Sequence, residues 1–336
     1  MATPVSTPGA SHRRTKHART ALLCGLAAAV GLQLALALAA DLRCPAIYDP
    51  EFYRRLNLLR ARQQERPGLP LALLMGSSRT VGSFRPEILS PLHAVDGREV
   101  LVFNASHIAN DPVALMLEYR RLRQAGIRPD YLVLEVLPAL LTIPQPALAA
   151  DIQTIREAPV LCRYYNPLEV GWRYTRRRLN WCRNYGHELV NSAVPILAGP
   201  GEESNWDRLK LGALGGSCLG PGLHDGAAPD EVRRLVENAK KVYRPRLGDF
   251  ALADNQVRAF DAILTSARGH GIPTVLIATP ESSEYRGWYS QAAEETLAQF
   301  LKERHARHGA TIVNARCWLP DDEFIDGHHV LLSGAD

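Results

Sequence analysis

Five short apolar runs, separated by helical patterns, constrain the fold of this chain more than any other feature. They lie at residues 71–75, 100–104, 131–136, 274–278 and 310–315. Near-continuous apolar runs of this length are typical of strands in a parallel sheet whose two faces are both covered. The segments between them, such as residues 111–125 and 253–270, show the pattern of amphipathic helices. The sequence therefore predicts an α/β fold with a parallel sheet between layers of helices.

The alternation stops between about residues 142 and 249, which we interpret as an insertion that is partly helix and partly loop. Its first half is rich in arginine and aromatic residues, and its second half is rich in glycine. The run Arg176-Arg177-Arg178 has two interpretations. It could hold an anionic ligand, or it could be the solvated face of a helix with aromatic rings packed beneath it.

The N-terminus has the pattern of a membrane anchor. Arginines and a lysine lie within residues 1–19, residues 20–40 contain no charged side chain, and Asp41 ends the segment. About 20 apolar residues span a bilayer as a helix, and basic residues before the span favour a cytoplasmic N-terminus. We expect a basic cytoplasmic tail at 1–19, a single-pass signal anchor at 20–42, a connector at 43–70 and an extracytoplasmic α/β domain at 71–336. The alternative is a signal peptide that is cleaved after residues 37–39, which also exports the domain.

Charge and cysteine content limit the kinds of ligand and partner that this chain is expected to bind. The net charge of +4 is small and comes partly from the basic tail, so it does not indicate nucleic-acid binding. The six cysteines form no CxxC pair, and we expect neither a metal site nor a cofactor. Cys162 and Cys182 could form a disulfide, or they could be buried thiols. The absence of a glycine-rich phosphate loop after the first strand argues against a nucleotide-binding domain.

Polar residues follow the predicted strands at the edge of the sheet where ligands bind in open α/β folds. The turn Gly76-Ser77-Ser78 follows the first strand, and Asp326 and His329 follow the last strand. A serine on such a turn becomes a nucleophile when a histidine takes its proton and a carboxylate orients that histidine. Other polar residues that follow the strands are Asn104, Ser106, His107, Asn110, Glu281, Arg286 and His328.

The two blocks Gly76-Ser77-Ser78 and Asp326-x-x-His329, in this order and on these strands, resemble the SGNH (GDSL-type) hydrolase superfamily. The first block of that family is Gly-Asp-Ser, and membrane-anchored branches carry Gly-Ser-Ser instead. The last block is followed by an apolar residue and soon by a glycine, here Val330 and Gly334. The resemblance covers residues 71–336 apart from the insertion. It implies a flavodoxin-like three-layer sandwich.

The resemblance also implies roles for individual residues. Ser78 would be the nucleophile, His329 the base and Asp326 the orienting carboxylate, with His328 as the alternative base. The backbone N–H of Ser78 would be one oxyanion donor, and Ser106 lies where the family supplies a second. The third family block, Gly-x-Asn-Asp, is absent, because residues 135–138 read Glu-Val-Leu-Pro.

The family's oxyanion asparagine is then either missing or replaced, and the candidates for its replacement are Asn104 and Asn110. Glu281 and Arg286 could bind substrate or could form local hydrogen bonds in their loop. We interpret His107 as a structural histidine.

Two functions fit these patterns. The first is an exported, membrane-anchored serine esterase or O-acyltransferase, because the anchored relatives that this chain resembles transfer acyl groups on cell-surface polymers. Its substrate would then be an acyl ester of a cell-surface glycan. The second is a catalytically inactive module of the same fold that binds a polysaccharide or a partner in a cell-envelope complex. The missing third block favours this second function.

Overall fold

The computed structural model describes residues 9–88, 91–145, 154–180, 212–215 and 228–335, with side chains described from residue 16 onward. Its centre is an open sheet of five parallel strands, which confirms the α/β prediction. The strands are β1 (Leu71–Met75), β2 (Leu101–Asn104), β3 (Tyr131–Glu135), β4 (Thr274–Ala278) and β5 (Thr311–Asn314). Each of them falls within one of the five apolar runs.

The strand order β2-β1-β3-β4-β5 places the first strand inside the sheet. The chain therefore moves to one side from β1 to β2 and to the other side from β2 to β3. Such a reversal opens a crevice at the carboxyl ends of the two strands beside it, here β1 and β3. Leu74 pairs with Val133 and Met75 with Leu134, so the residues that follow these two strands emerge side by side.

The described helices are α1 (Gly9–Arg43), α2 (Pro50–Glu65), α3 (Ser78–Ser83), α4 (Pro112–Gln124), α5 (Pro138–Leu141), α6 (Ala158–Leu161), α7 (Pro167–Leu179), α8 (Pro229–Gly248), α9 (Asp254–Gly269), α10 (Ser283–Arg286), α11 (Gln291–His308) and α12 (Leu332–Ala335). Local sequence signals set several of their ends. Asp111 accepts a hydrogen bond from the N–H of Ala114 and caps α4, whose first residue is Pro112. Gly309 ends α11 in the left-handed conformation.

The core lies on one face of the sheet. Leu71, Leu73 and Met75 point to that face and are fully buried among side chains of α2, α4, α9 and α11. On the other face, Ala72, Val133 and Val275 remain half-exposed. Leu74, Val102 and Ile277 on this same face are buried, so the described residues cover the second face in part. Helix α3, which connects β1 with β2, has only six residues and is too short to cover the sheet.

The predicted connector at 43–70 contains a helix that belongs to the core. Helix α2 begins at Pro50, where the Asp49 side chain accepts a hydrogen bond from the N–H of Phe52. Phe52 and Leu59 are buried in the same cluster as β1 and α4. Helix α1 precedes this region. Its stretch Lys16–Arg43 contains an 18-residue segment with a mean hydropathy of 2.2, and it is long and apolar enough to cross a membrane.

The described part of the insertion contains α6, α7 and α8. Arg178, on α7, matches neither interpretation of the arginine run, because it is buried and its Nη2 lies 2.6 Å from Oδ1 of Asp41. Arg176 is exposed. The proposed disulfide lies outside the described residues, since it needs Cys182.

A buried ionic cluster ties α2 to the loop after β2. Nε2 of His107 lies 3.0 Å from Glu51 and 3.5 Å from Asp49, and its Nδ1 lies 3.7 Å from Glu118. Arg121 pairs with Asp49. Burial alone would lower the pKa of His107, but Glu118, Asp49 and Glu51 outweigh it and raise the pKa to about 9. The backbone N–H of His107 donates to the carbonyl of Gly76, so this cluster adjoins the turn after β1.

We predict that the protein loses stability as the pH rises through 9. A histidine whose pKa is about 9 in the folded chain and 6.5 in the unfolded chain contributes stability below pH 6.5 and loses it as the pH rises. The loss should reach roughly 2–3 kcal/mol. Burial also raises the pKa of Glu118, to about 7. The stability that protonated Glu118 contributes is therefore lost mainly below pH 7, outside the range from pH 7 to 9.

Urea unfolding of the detergent-solubilised chain at pH 7 and 9 measures this effect, with His107→Gln as the comparison. The difference in unfolding free energy between wild type and variant should shrink from pH 7 to pH 9. A difference that stays constant over this range would show that His107 is not held in its charged form.

Candidate active site

The turn after β1 is built around a carboxylate at the end of β3. Oε2 of Glu135 accepts hydrogen bonds from the N–H of Ser77 at 2.5 Å and from the Thr80 hydroxyl at 2.8 Å. A Cβ on Gly76 would lie 2.3 Å from the Thr80 hydroxyl and 2.5 Å from Oε2 of Glu135. Only glycine therefore allows the turn to approach Glu135 this closely. Glu135, the one charged residue within the third apolar run, was the sequence signal for this contact, and it was missed.

Helix α3 begins directly after this turn and presents one hydroxyl outward. Ser77 caps the helix by accepting a hydrogen bond from the N–H of Arg79, and Ser77, Arg79 and Thr80 are all buried. Ser78, the first residue of the helix, is half-exposed. Of the two adjacent serines, Ser78 is therefore the one that a bound molecule can reach.

The structure brings Ser78, His329 and Asp326 together in one chain of contacts. Oγ of Ser78 lies 2.8 Å from Nε2 of His329, and Nδ1 of the same ring lies 2.7 Å from Oδ2 of Asp326. Ser78 and His329 are 251 positions apart in the chain. These are the contacts in which an imidazole takes the proton of a serine while a carboxylate fixes its tautomer.

The loop after β5 fixes Asp326 and His329. Oδ1 of Asp326 accepts the backbone N–H of His329 at 2.8 Å and that of His328 at 3.1 Å. Gly327 has a φ of +89°, and its carbonyl accepts the N–H of Ser282 from the loop after β4. Burial would raise the pKa of Asp326, but the two histidines hold it well below its ordinary value. Asp326 is therefore an anion at neutral pH.

His328, the alternative base, lies in a different environment. Its ring is buried, stacks on Tyr285 with centroids 5.1 Å apart and meets the edge of Tyr243 at 4.7 Å. Burial and the neighbouring His329 lower the pKa of His328 to about 4. This histidine is therefore neutral at pH 7, and the ring in contact with Ser78 is that of His329.

Arg79 ties α3 to the loop after β4, a role that the sequence did not reveal. Its guanidinium is fully buried, donates to the carbonyls of Thr279 and Pro280, and lies 3.2 Å from Oε1 of Glu281. Glu281 also accepts hydrogen bonds from Arg316 at 2.6 Å and from the Tyr289 hydroxyl at 2.9 Å. Its carboxylate is thus occupied within the fold, which favours local hydrogen bonding over substrate binding.

Arg286, the other substrate-binding candidate in this loop, is half-buried and donates to the carbonyls of Glu281 and Arg316. It shares the structural role of Glu281.

The oxyanion candidates after β2 are also occupied. Both amide hydrogens of Asn104 donate to backbone carbonyls, those of Thr80 and Phe84, so this side chain fastens α3. The amide of Asn110 donates to Glu118 at 2.7 Å. The backbone N–H of Ser106 donates to the Asn104 side chain, and its fully buried hydroxyl has no hydrogen-bond partner among the described residues.

Two groups of side chains have the spacing of metal ligands. One is Asp326, His328 and His329, and the other is Asp49, His107 and Glu118. In the first group, Nε2 of His329 is in hydrogen-bond contact with the Ser78 hydroxyl. In the second group, the guanidinium of Arg121 lies 2.5 Å from Asp49 and neutralises its charge. Contacts within the protein therefore account for both groups.

Comparison with known proteins gives no further assignment. No protein-family model matches this chain, and no curated protein matches it. A function for this site therefore depends on its geometry and on the residues that form it.

We predict that Gly76→Ala destabilises the protein by about 2–3 kcal/mol, because the new Cβ would force Glu135 and Thr80 apart. Urea unfolding of the full chain measures this change. Gly171→Ala is the matched control. A Cβ there contacts nothing within 4 Å, and alanine in a helix should be neutral or stabilising by about 0.5–1 kcal/mol. Equal stability of the two variants would contradict the close approach of Glu135.

Proposed function

We propose that this chain is a serine esterase or O-acyltransferase of the SGNH hydrolase type, with the flavodoxin-like three-layer fold of that superfamily. The observation that supports this proposal most directly is the Ser78–His329–Asp326 chain of contacts, at 2.8 and 2.7 Å. The strand order is that of flavodoxin-like sheets, and the site lies at their usual ligand-binding edge.

The proposed reaction has two steps. His329 takes the proton of Ser78 while the serine oxygen attacks the acyl carbonyl, and it returns that proton to the leaving alcohol as the ester bond breaks. The acyl group is then an ester of Ser78. In the second step His329 takes a proton from water or from a sugar hydroxyl, which attacks this ester, and it returns that proton to the Ser78 oxygen as the acyl–serine bond breaks. Asp326 stabilises the imidazolium that forms in each step.

The oxyanion side of the site is sparse. Ser78 is the first residue of α3, so its N–H has no acceptor within the helix and can donate to an oxyanion. Asn104 and Asn110 have their amides engaged elsewhere. This observation favours the second candidate function, a non-catalytic module that binds a polysaccharide or an envelope partner at the same edge.

Anchoring and substrate follow from the N-terminus and from the resemblance. In this proposal α1 crosses the membrane once, with the basic residues on the cytoplasmic side and the α/β domain outside. The acyl ester would then belong to a cell-surface glycan, as in the anchored branches that carry Gly-Ser-Ser.

We predict that Ser78→Ala lowers hydrolysis of p-nitrophenyl acetate by the full chain on the order of 10³-fold or more. The same variant should lose labelling by a fluorophosphonate probe. Ser266→Ala is the control, because Ser266 is a half-buried serine near the end of α9, at the opposite edge of the sheet. Undiminished turnover in Ser78→Ala would remove Ser78 from the mechanism. Unlabelled wild type that still binds glycan would support the non-catalytic module.

We predict that the two adjacent histidines differ in their effect on this reaction. His329→Ala should cost about as much turnover as Ser78→Ala, because members of a triad act as a unit. His328→Phe should cost less than about 10-fold, since phenylalanine can keep the stacking on Tyr285 and His328 is already uncharged at pH 7. Measuring the turnover of the His329→Ala and His328→Phe variants between pH 5 and 9 tests this difference. A larger loss in His328→Phe would make His328 the base.

A further inference from the structure

Helix α7 has a row of exposed apolar side chains that the proposed active site does not use. Leu168 is 83% exposed, Trp172 is 63% exposed and Leu179 is 39% exposed. These residues are separated by four and by seven positions, so they lie along one side of the helix. Thr175, between them, is also exposed. A line of large apolar side chains facing outward marks an interaction surface.

The opposite side of α7 is fixed to the end of α1. Nη2 of Arg178 lies 2.6 Å from Oδ1 of Asp41, and both side chains are buried. The Tyr174 hydroxyl also donates to Asp41. The guanidinium of Arg178 lies 4.0 Å from the ring centroid of Tyr48 and 4.4 Å from that of Tyr174. A buried ion pair between two aromatic rings holds α7 in one orientation relative to α1.

This junction lies at the end of the apolar stretch. The Tyr48 hydroxyl donates to the carbonyl of Ala37, so contacts reach from Ala37 to Asp41, which is about one helical turn. The stretch that is apolar enough to cross a membrane ends at Arg43. If α1 crosses a bilayer, its last turn lies at the lipid–water boundary, and α7 lies at the same depth.

The residue types in this row are those found at the lipid–water boundary. Tryptophan is enriched at the membrane interface, where its ring contacts both apolar and polar groups. Helices that lie in the interface plane have tryptophan and leucine on one side and basic residues beside them. Arg176 is exposed next to the row, where its guanidinium can reach lipid phosphates.

We propose that α7 lies in the membrane interface, with Leu168, Trp172 and Leu179 inserted between lipid headgroups and the ends of the acyl chains. The occupant of this surface is lipid because the contacts of Arg178 and Tyr174 with Asp41 hold α7 beside the last turn of α1. This inference rests on the proposed crossing by α1. It adds a second membrane contact, which sets the tilt of the α/β domain above the bilayer.

Fluorescence quenching in liposomes tests this inference with the full chain. Phospholipids with bromine on the acyl chain close to the headgroup quench a tryptophan that touches them. The quenched emission should come mainly from Trp172, one of the five tryptophans of the chain, so Trp172→Phe should remove most of the quenching by brominated lipid. Trp318→Phe is the matched control, because Trp318 is 65% exposed and follows β5, outside α7. Its substitution should leave the quenched emission unchanged.

Flotation of the same liposomes in alkaline carbonate reports separately whether α1 crosses the membrane. Flotation with equal quenching in wild type and Trp172→Phe overturns the placement of α7 and leaves the proposed function intact. A second copy or a protein partner that covers Trp172 would give this same result. Failure to float overturns the anchor, and with it the placement of α7. Flotation together with quenching that depends on Trp172 supports the proposal.

Discussion

The site depends on the contact between the Glu135 carboxylate and the turn after β1. Glu135 ends β3, and the turn follows β1. This contact therefore joins the carboxyl ends of the two strands beside the point where the strand order reverses. The Glu135 carboxylate accepts the N–H of Ser77, the capping residue of α3, which has no acceptor within the helix. The contact also requires glycine at position 76. Because Ser77 is turned inward by this contact, Ser78 is the hydroxyl that faces outward.

A second set of buried charges sets the position of the histidine relative to that serine. Arg79 follows Ser78 and pairs with Glu281, which in turn pairs with Arg316. Buried charges are stable only when each of them is paired, so the loss of one partner leaves the others uncompensated. Ser282 then donates its N–H to Gly327, the residue between Asp326 and the two histidines. The 2.8 Å contact between Ser78 and His329 is therefore the end of a continuous path of paired groups.

Local patterns in the sequence predicted much of this structure. The strands follow from apolar runs, the start of α4 follows from Asp111 and Pro112, and Ser78, Asp326 and His329 follow from the order of two short blocks. The contacts that hold the site join residues that are far apart: Ser77 and Glu135 are 58 positions apart, and Arg79 and Glu281 are 202. Such pairs have no periodicity in the sequence. For the same reason Asn104, Asn110 and Glu281 looked like binding residues, although their polar groups are occupied within the fold.

The ion pairs near α1 and those near the turn form one connected system. Tyr48 packs on Arg178 at the end of α1, and the next residue, Asp49, contacts His107 and Arg121. The backbone N–H of His107 reaches the carbonyl of Gly76, two residues before Ser78. Buried ion pairs and hydrogen bonds, rather than a free linker, thus join the end of the apolar helix to the serine. If α1 crosses a membrane, Ser78 is held at a fixed height above it. Under the proposed function, an acyl ester would have to reach Ser78 at that height, which favours a substrate bound to the cell surface over one that diffuses freely.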